Sequence, residues 1–163
     1  MAAGFSDFDA WVPAAVVPRL LTVEDFAYLP NELPSGPVKY ELDNGRVVTD
    51  RLLTQEDLEG LPTELPTGPV EYELDNGRLV TMTPPGYSHG NSQLKIGSRL
   101  LVYAEETGAG EAAVETGVLL WQNPDRVVGP DAMFISAAKL PPKVSKAGYL
   151  ETIPDLAVEV GSK

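Results

Sequence analysis

A direct repeat governs the first half of this chain: residues 20–48 read again as residues 52–80, an offset of 32 positions with 21 of 29 identical. Any fold must therefore house two copies of one local structure. Stacked solenoids need more copies than two, and no third follows. The repeat reads as an internal duplication of a helix-hairpin unit.

Each copy carries the same local instructions. Thr22 or Thr54 is a helix N-cap, with Asp25 or Asp57 three residues on completing a capping box. Pro30 or Pro62 ends a short helix. Tyr40-Glu41-Leu42 and Tyr72-Glu73-Leu74 alternate apolar and polar residues as a strand does, and Asn44-Gly45 or Asn76-Gly77 supplies a tight hairpin turn. Residues 78–82 return as the second strand of the hairpin.

Beyond the repeat, Thr83-Pro84-Pro85-Gly86 breaks the pattern. Ser88 or Asn91 caps an expected helix whose apolar face comprises Leu94, Ile96, Leu100, Leu101 and Ala104, with Gly108 as its stop. Residues 114–121, 132–135 and 156–160 read as strands, with Asn123-Pro124-Asp125 as a turn. The element order is helix, hairpin, helix, three strands, which predicts an α+β or α/β sheet domain. At 163 residues and 43% hydrophobic, the chain has enough apolar material for one core. The expected divisions are an N-terminal arm over residues 1–19, the extra repeat copy over 20–51, and the main domain over 52–163.

Composition narrows the function. Twelve basic residues against 24 acidic ones give a net charge of -12, so no broad basic surface attracts nucleic acid at long range. A local groove or a bound cation could still do so. The absence of cysteine excludes disulfides, thiolate metal sites and cysteine nucleophiles, and fits a cytoplasmic location. No apolar stretch approaches the roughly 20 residues that cross a bilayer, and the N-terminus lacks the pattern of a secretory signal.

Two apolar runs contain an acid: Pro130-Asp131-Ala132-Met133-Phe134-Ile135 and Pro154-Asp155-Leu156-Ala157-Val158-Glu159-Val160. A carboxylate among strand-forming apolar residues is costly unless a cation meets it, and a divalent metal is one such partner. The competing readings are a strand-entry acid bonded to backbone for Asp131 and a solvated sheet face for Glu159. Asp155, next to Pro154, reads as a strand start. Glu105, Glu106, Glu111 and Glu115 read as a solvated patch.

Leu-Thr-x-Glu-Asp, residues 72–80, His89-Gly90, Pro130-Asp131, Gly148-Tyr149-Leu150-Glu151 and residues 154–160 together resemble the Uma-two family of restriction endonucleases, within the PD-(D/E)XK nuclease-like superfamily. The resemblance runs from about residue 52 to residue 160. It implies a restriction-endonuclease-like central mixed sheet flanked by helices, with acids clustered at one end of the strands. By resemblance, Asp131 and Glu159 are metal ligands, Glu73 is an additional acid and His89 has a supporting role. The implied cofactor is Mg²⁺ and the implied reaction is hydrolysis of DNA phosphodiester bonds. Glu41, in the same local sequence as Glu73, is the lesser candidate.

In the family, the last strand is followed by Ser-Pro and a helix bearing a lysine; here Gly161-Ser162-Lys163 follows. Lys163 does not match the catalytic lysine, and the resemblance therefore describes a C-terminally truncated member with an incomplete sheet. The alternative function is that of a catalytically silent homologue acting through binding or self-association. For the first repeat copy three arrangements are open. It packs at a sheet edge, hangs loose, or enters the slot of another molecule in a swapped homodimer that deletion of residues 1–51 would abolish.

Overall fold

The computed structural model describes residues 18–161. Nearly all of the expected N-terminal arm, and Lys163, fall outside that range. Each repeat copy builds the same unit. In the first, α1 (Val23–Phe26) is followed by the two-residue strands β1 (Glu32–Leu33) and β2 (Gly36–Pro37), then by β3 (Tyr40–Asp43) and β4 (Arg46–Thr49). The second gives α2 (Gln55–Glu59), β5 (Glu64–Leu65), β6 (Gly68–Pro69), β7 (Glu71–Asp75) and β8 (Arg78–Met82).

Both helices open with the expected capping box, Thr22 with Asp25 and Thr54 with Asp57. Both close before the prolines, at Ala27 and Gly60. The hairpins turn on Asn44-Gly45 and Asn76-Gly77, all four with positive φ between 49° and 80°. That is the geometry of a two-residue turn of the primed type, which Asn-Gly adopts at low cost.

The rest of the chain forms α3 (Tyr87–Thr107), β9 (Gly110–Val114), β10 (Val118–Trp121), β11 (Arg126–Val128), β12 (Ala132–Ser136), a 3₁₀ turn over Ala137–Lys139, and β13 (Leu156–Val158). The strand expected over residues 114–121 is thus two strands, broken where Glu115 takes a positive φ of 48°. Helix α3 starts at Gly86, a little before the expected cap, and ends on Gly108 as read from sequence.

Its buried face matches the expected one at Ala104 and departs from it at Leu94 and Leu101. Gln93 and Ala104 are buried, whereas Leu94 and Leu101 are 67% and 48% exposed. Small residues decide this: a Cβ on Gly97 would lie 2.7 Å from Val114, so the face carrying Gln93, Gly97 and Ala104 can approach the sheet closely, and larger side chains turn outward.

Two main sheets result, a four-stranded one in the order β10-β11-β7-β8 and a three-stranded one in the order β13-β12-β9, every pairing antiparallel. This is the mixed α/β class read from the element order. The second repeat copy occupies the four-stranded sheet through β7 and β8. Asp125 fastens it there, its carboxylate accepting from Gln55 N at 2.8 Å and its carbonyl from Gly77 N at 2.6 Å.

The first copy packs at the edge of that sheet, one of the three arrangements left open by the sequence, without entering its hydrogen-bonded ladder. Its hairpin β3-β4 is a separate two-stranded sheet, and β4 lies beside β8. Leu21, Leu29, Leu33, Val38 and Val47 share one core with their counterparts Leu53, Leu61, Leu65, Val70 and Leu79. A second core, Val118, Val128, Met133, Ile135 and Leu150, lies between the two main sheets.

Candidate active site

The junction between the two sheets is short. Strand β11 ends at Val128, Gly129 and the fully buried Pro130 turn the chain, and Asp131 leads into β12. Ala132 pairs with Val158 across the β12-β13 ladder. Extending that antiparallel register by one residue sets Glu159 opposite Asp131, and opposed residues project to the same face. Sequence alternation alone suggests a solvated face for Glu159, but the residue is half-buried.

Both oxygens of Asp131 are engaged. Val160 N donates to Oδ2 at 2.6 Å, which ties the end of β13 to the start of β12. His89 Nε2 lies 2.7 Å from Oδ1; a carboxylate oxygen only accepts, so the imidazole Nε2 carries the proton. His89 stands in the first turn of α3. One turn on, buried Gln93 donates its Nε2 to the Asp131 carbonyl at 3.0 Å. The i, i+4 spacing puts His89 and Gln93 on one helix face, and together they dock α3 against the backbone and side chain of one residue.

Glu73, in the middle of β7, reaches the same junction by accepting from Gly129 N at 2.9 Å. Burial raises its carboxyl above the usual range, countered by that N–H and by Arg126. Glu41, its counterpart in the repeat, is exposed. Identical local sequences thus part company because only β7 has β11 beside it.

Glu159 feels the crowding most. Burial first, then the charges of Asp131 and Glu73, push its carboxyl up to about 7, with His89 the opposing influence. Glu71, absent from the sequence candidates, is raised by burial, then by Glu115 and Asp131. Its signal was present, since Glu71 and Glu73 alternate onto one face of a strand. Gln93 had no such signal. Asp155, read as a strand start, is that: it accepts from Ser136 N at 2.7 Å and pairs with Lys139 Nζ at 2.9 Å.

A pH dependence follows for Glu159. An acid raised on folding weakens the fold as pH climbs from its unfolded value, near 4.5, through about 7. Glu159→Gln should therefore stabilise the cation-free protein at pH 8, by about 1 kcal/mol after allowing for screening in a half-open setting, and give no gain at pH 4. Thermal melts at the two pH values check this; an equal shift at both would sink it.

Hard oxygen donors suit Mg²⁺, and no hydrogen bond from the described residues reaches the Glu159 carboxylate, leaving both its oxygens available. Among the described residues no three His, Asp or Glu side chains converge closely enough to hold a metal ion as a group. Two carboxylates, with water and substrate oxygens completing the shell, is a usual arrangement for Mg²⁺. Asp131 and Glu159 fit that requirement.

At one end of this α+β domain, adjacent strand ends thus bring Asp131 and Glu159 opposite each other, with His89 against Asp131. The model of the Uma2 family, described as "Putative restriction endonuclease", matches residues 55–163, and the chain belongs to that family. The match begins at Gln55, the first residue of α2, and leaves the first repeat copy outside. Among solved structures the chain is similar to "a putative nuclease belonging to DUF820 from Anabaena variabilis ATCC 29413", at 18% identity and a TM-score of 0.49, over 68% of this chain and 59% of that one. The chain thus spans less than two thirds of that protein's length. No curated protein matches it. Among the described residues no helix is long and apolar enough to cross a membrane.

Proposed function

We propose that this protein is a Mg²⁺-dependent endonuclease that hydrolyses DNA phosphodiester bonds, with Asp131 and Glu159 holding the cation. The observation that supports this most is geometric: the β12-β13 register sets Glu159 opposite Asp131, whose carboxylate is held by His89 and Val160 N, and burial with the neighbouring carboxylates pushes the Glu159 carboxyl up to about 7. Mutual repulsion of this kind is relieved by a divalent cation. Bound there, Mg²⁺ would lower the pKa of a water and offset the charge developing at phosphorus.

The chain's own residues supply position. His89 holds one Asp131 oxygen and Val160 N the other, so the carboxylate has little freedom to rotate. Glu73, fixed on Gly129, adds negative charge beside the pair and strengthens cation capture. With a net charge of -12, the protein must meet DNA locally, at the cation, because its overall field repels a polyanion.

The test is conversion of supercoiled plasmid to nicked or linear forms with Mg²⁺, with EDTA, and with Asp131→Ala. Cleavage with Mg²⁺ alone, lost in the other two, is expected. No cleavage by the purified chain under any divalent cation overturns the reading and leaves the silent-homologue alternative in place.

A further inference from the structure

The two repeat copies meet through contacts that come in exchanged pairs. Asp25 of the first copy accepts from Thr67 of the second, at 3.0 Å from the backbone N and 2.6 Å from Oγ1. Asp57 of the second accepts from Ser35 of the first, at 2.9 Å and 2.7 Å from the equivalent atoms. Adding 32 to Asp25 gives Asp57, and subtracting 32 from Thr67 gives Ser35, so each contact is the other with the copies exchanged.

The same exchange recurs with arginine. Arg19 Nη1 donates to the carbonyls of Gly68 (2.9 Å) and Pro69, and Arg51 donates to those of Gly36 (3.0 Å) and Pro37 (2.9 Å). It recurs with threonine: Thr81 Oγ1 donates to the Arg19 carbonyl and Thr49 Oγ1 to the Arg51 carbonyl, each at 2.6 Å. Arg19 and Arg51 extend the repeat by one position beyond residues 20 and 52.

Contacts in which i meets j and j meets i arise across a two-fold axis and define an isologous interface. Two copies lying side by side in any other way would present different faces to each other. Strands β4 and β8, which are equivalents of one another, lie together as the axis requires.

The second copy carries both halves of every exchanged contact: Asp57 and Thr67, Arg51 and the Gly68-Pro69 carbonyls, Thr81 and the Arg51 carbonyl. Where Leu33 and Pro34 of the first copy press on the second, they meet Gly60, whose missing Cβ leaves the room. Leu65 and Pro66 are the same residue types at the same positions. At the hydroxyl contact the copies differ only as Ser35 and Thr67, both donors.

We propose that this face of the second copy is a self-pairing surface whose fitting partner is the same face of another molecule, and that the first copy occupies it in cis. The repeat thereby puts inside one chain the partner that a single-copy molecule would take from a neighbour. This reverses the swapped-dimer expectation, since the first copy blocks association here instead of driving it.

The test uses the full chain and light scattering. Ser35→Asp places a carboxylate against buried Asp57 while altering a residue that is itself exposed, so it weakens the cis contact and leaves the second copy's face intact. The unsubstituted chain is expected at monomer mass, Ser35→Asp at twice that mass, and Ser35→Asp with Thr67→Asp at monomer mass again. A folded Ser35→Asp chain that stays monomeric overturns the proposal, as does a dimer that persists in the double variant.

If Ser35→Asp does not fold, Arg19→Ala is the second variant: it removes the donors to the Gly68 and Pro69 carbonyls and leaves every residue of the second copy's face unchanged. A dimer is expected there too, and a folded Arg19→Ala chain that stays monomeric overturns the proposal.

Discussion

Asp57→Ala is expected to lower the unfolding free energy by about 3–5 kcal/mol, the usual cost of removing one partner from a buried ion pair. For a chain of this size that is roughly a 10 °C fall in melting temperature. Asp57 has no exposed surface. Its carboxylate accepts from Ser35 N, Ser35 Oγ, Thr54 N and Arg51 Nη1, all within 3.0 Å. Burial alone would raise its pKa, but Arg51, Thr54 and Ser35 hold it down at about 2. Alanine leaves those donors facing an empty buried site.

The sign of the pH effect is fixed by the lowered value. The stabilisation is complete above the unfolded pKa of 3.8 and fades as pH falls through about 2. The gap between wild type and variant should therefore hold from pH 7 to about pH 5 and narrow below. Asp25→Ala should cost less, because Arg19 Nη2 stands 3.7 Å from Asp25 where Arg51 stands 3.0 Å from Asp57. Chemical denaturation of the two variants side by side checks the order; a loss under 1 kcal/mol for Asp57→Ala would refute the account of the repeat interface.

Asp131→Asn is the second large effect, and it separates chemistry from architecture. Asparagine keeps one oxygen to accept from Val160 N, and its NH2 donates to His89 Nε2 once the imidazole carries its proton on Nδ1 instead, so the β12-β13 junction should persist, with the melting temperature within a few degrees of wild type. The charge is lost. Mg²⁺-dependent plasmid cleavage should fall by at least roughly a hundredfold, and the Glu159 carboxyl, relieved of one of its two repelling neighbours, should titrate below about 7. The titration reads the cluster even without turnover: unchanged Glu159 behaviour, followed by NMR of a side-chain-labelled sample, would show that the two acids do not share a site.

The local grammar of the repeat was open to reading because it depends only on near neighbours. Thr22 and Thr54 cap, Asn-Gly turns, and the alternation of residues 72–74 makes a strand whatever surrounds it. Asp131 and Glu159 also stood out, since an acid in a strand-forming apolar run is unusual enough to flag itself. Part of the helix face was misread for the opposite reason. Leu94 and Leu101 satisfy the periodicity of an amphipathic helix, yet Gly97 and Ala104 set which side approaches β9 and β12, and closeness of approach depends on what lies across the gap.

By itself, then, the sequence determined the repeated helix-hairpin unit, the mixed α/β class and the family resemblance, and it singled out Asp131 and Glu159 as candidate acids. Only the tertiary structure decided how Glu73 is held, its carboxylate tied to Gly129 while Glu41 stays in solvent, that Gln93 bonds the Asp131 carbonyl, and that the two repeat copies pair reciprocally in cis. The reason is common to all three. Capping, turns and strand alternation are fixed by neighbours a few residues away, whereas burial, charge repulsion and two-fold pairing depend on groups brought together from 20 to 90 positions apart, which only the folded chain does.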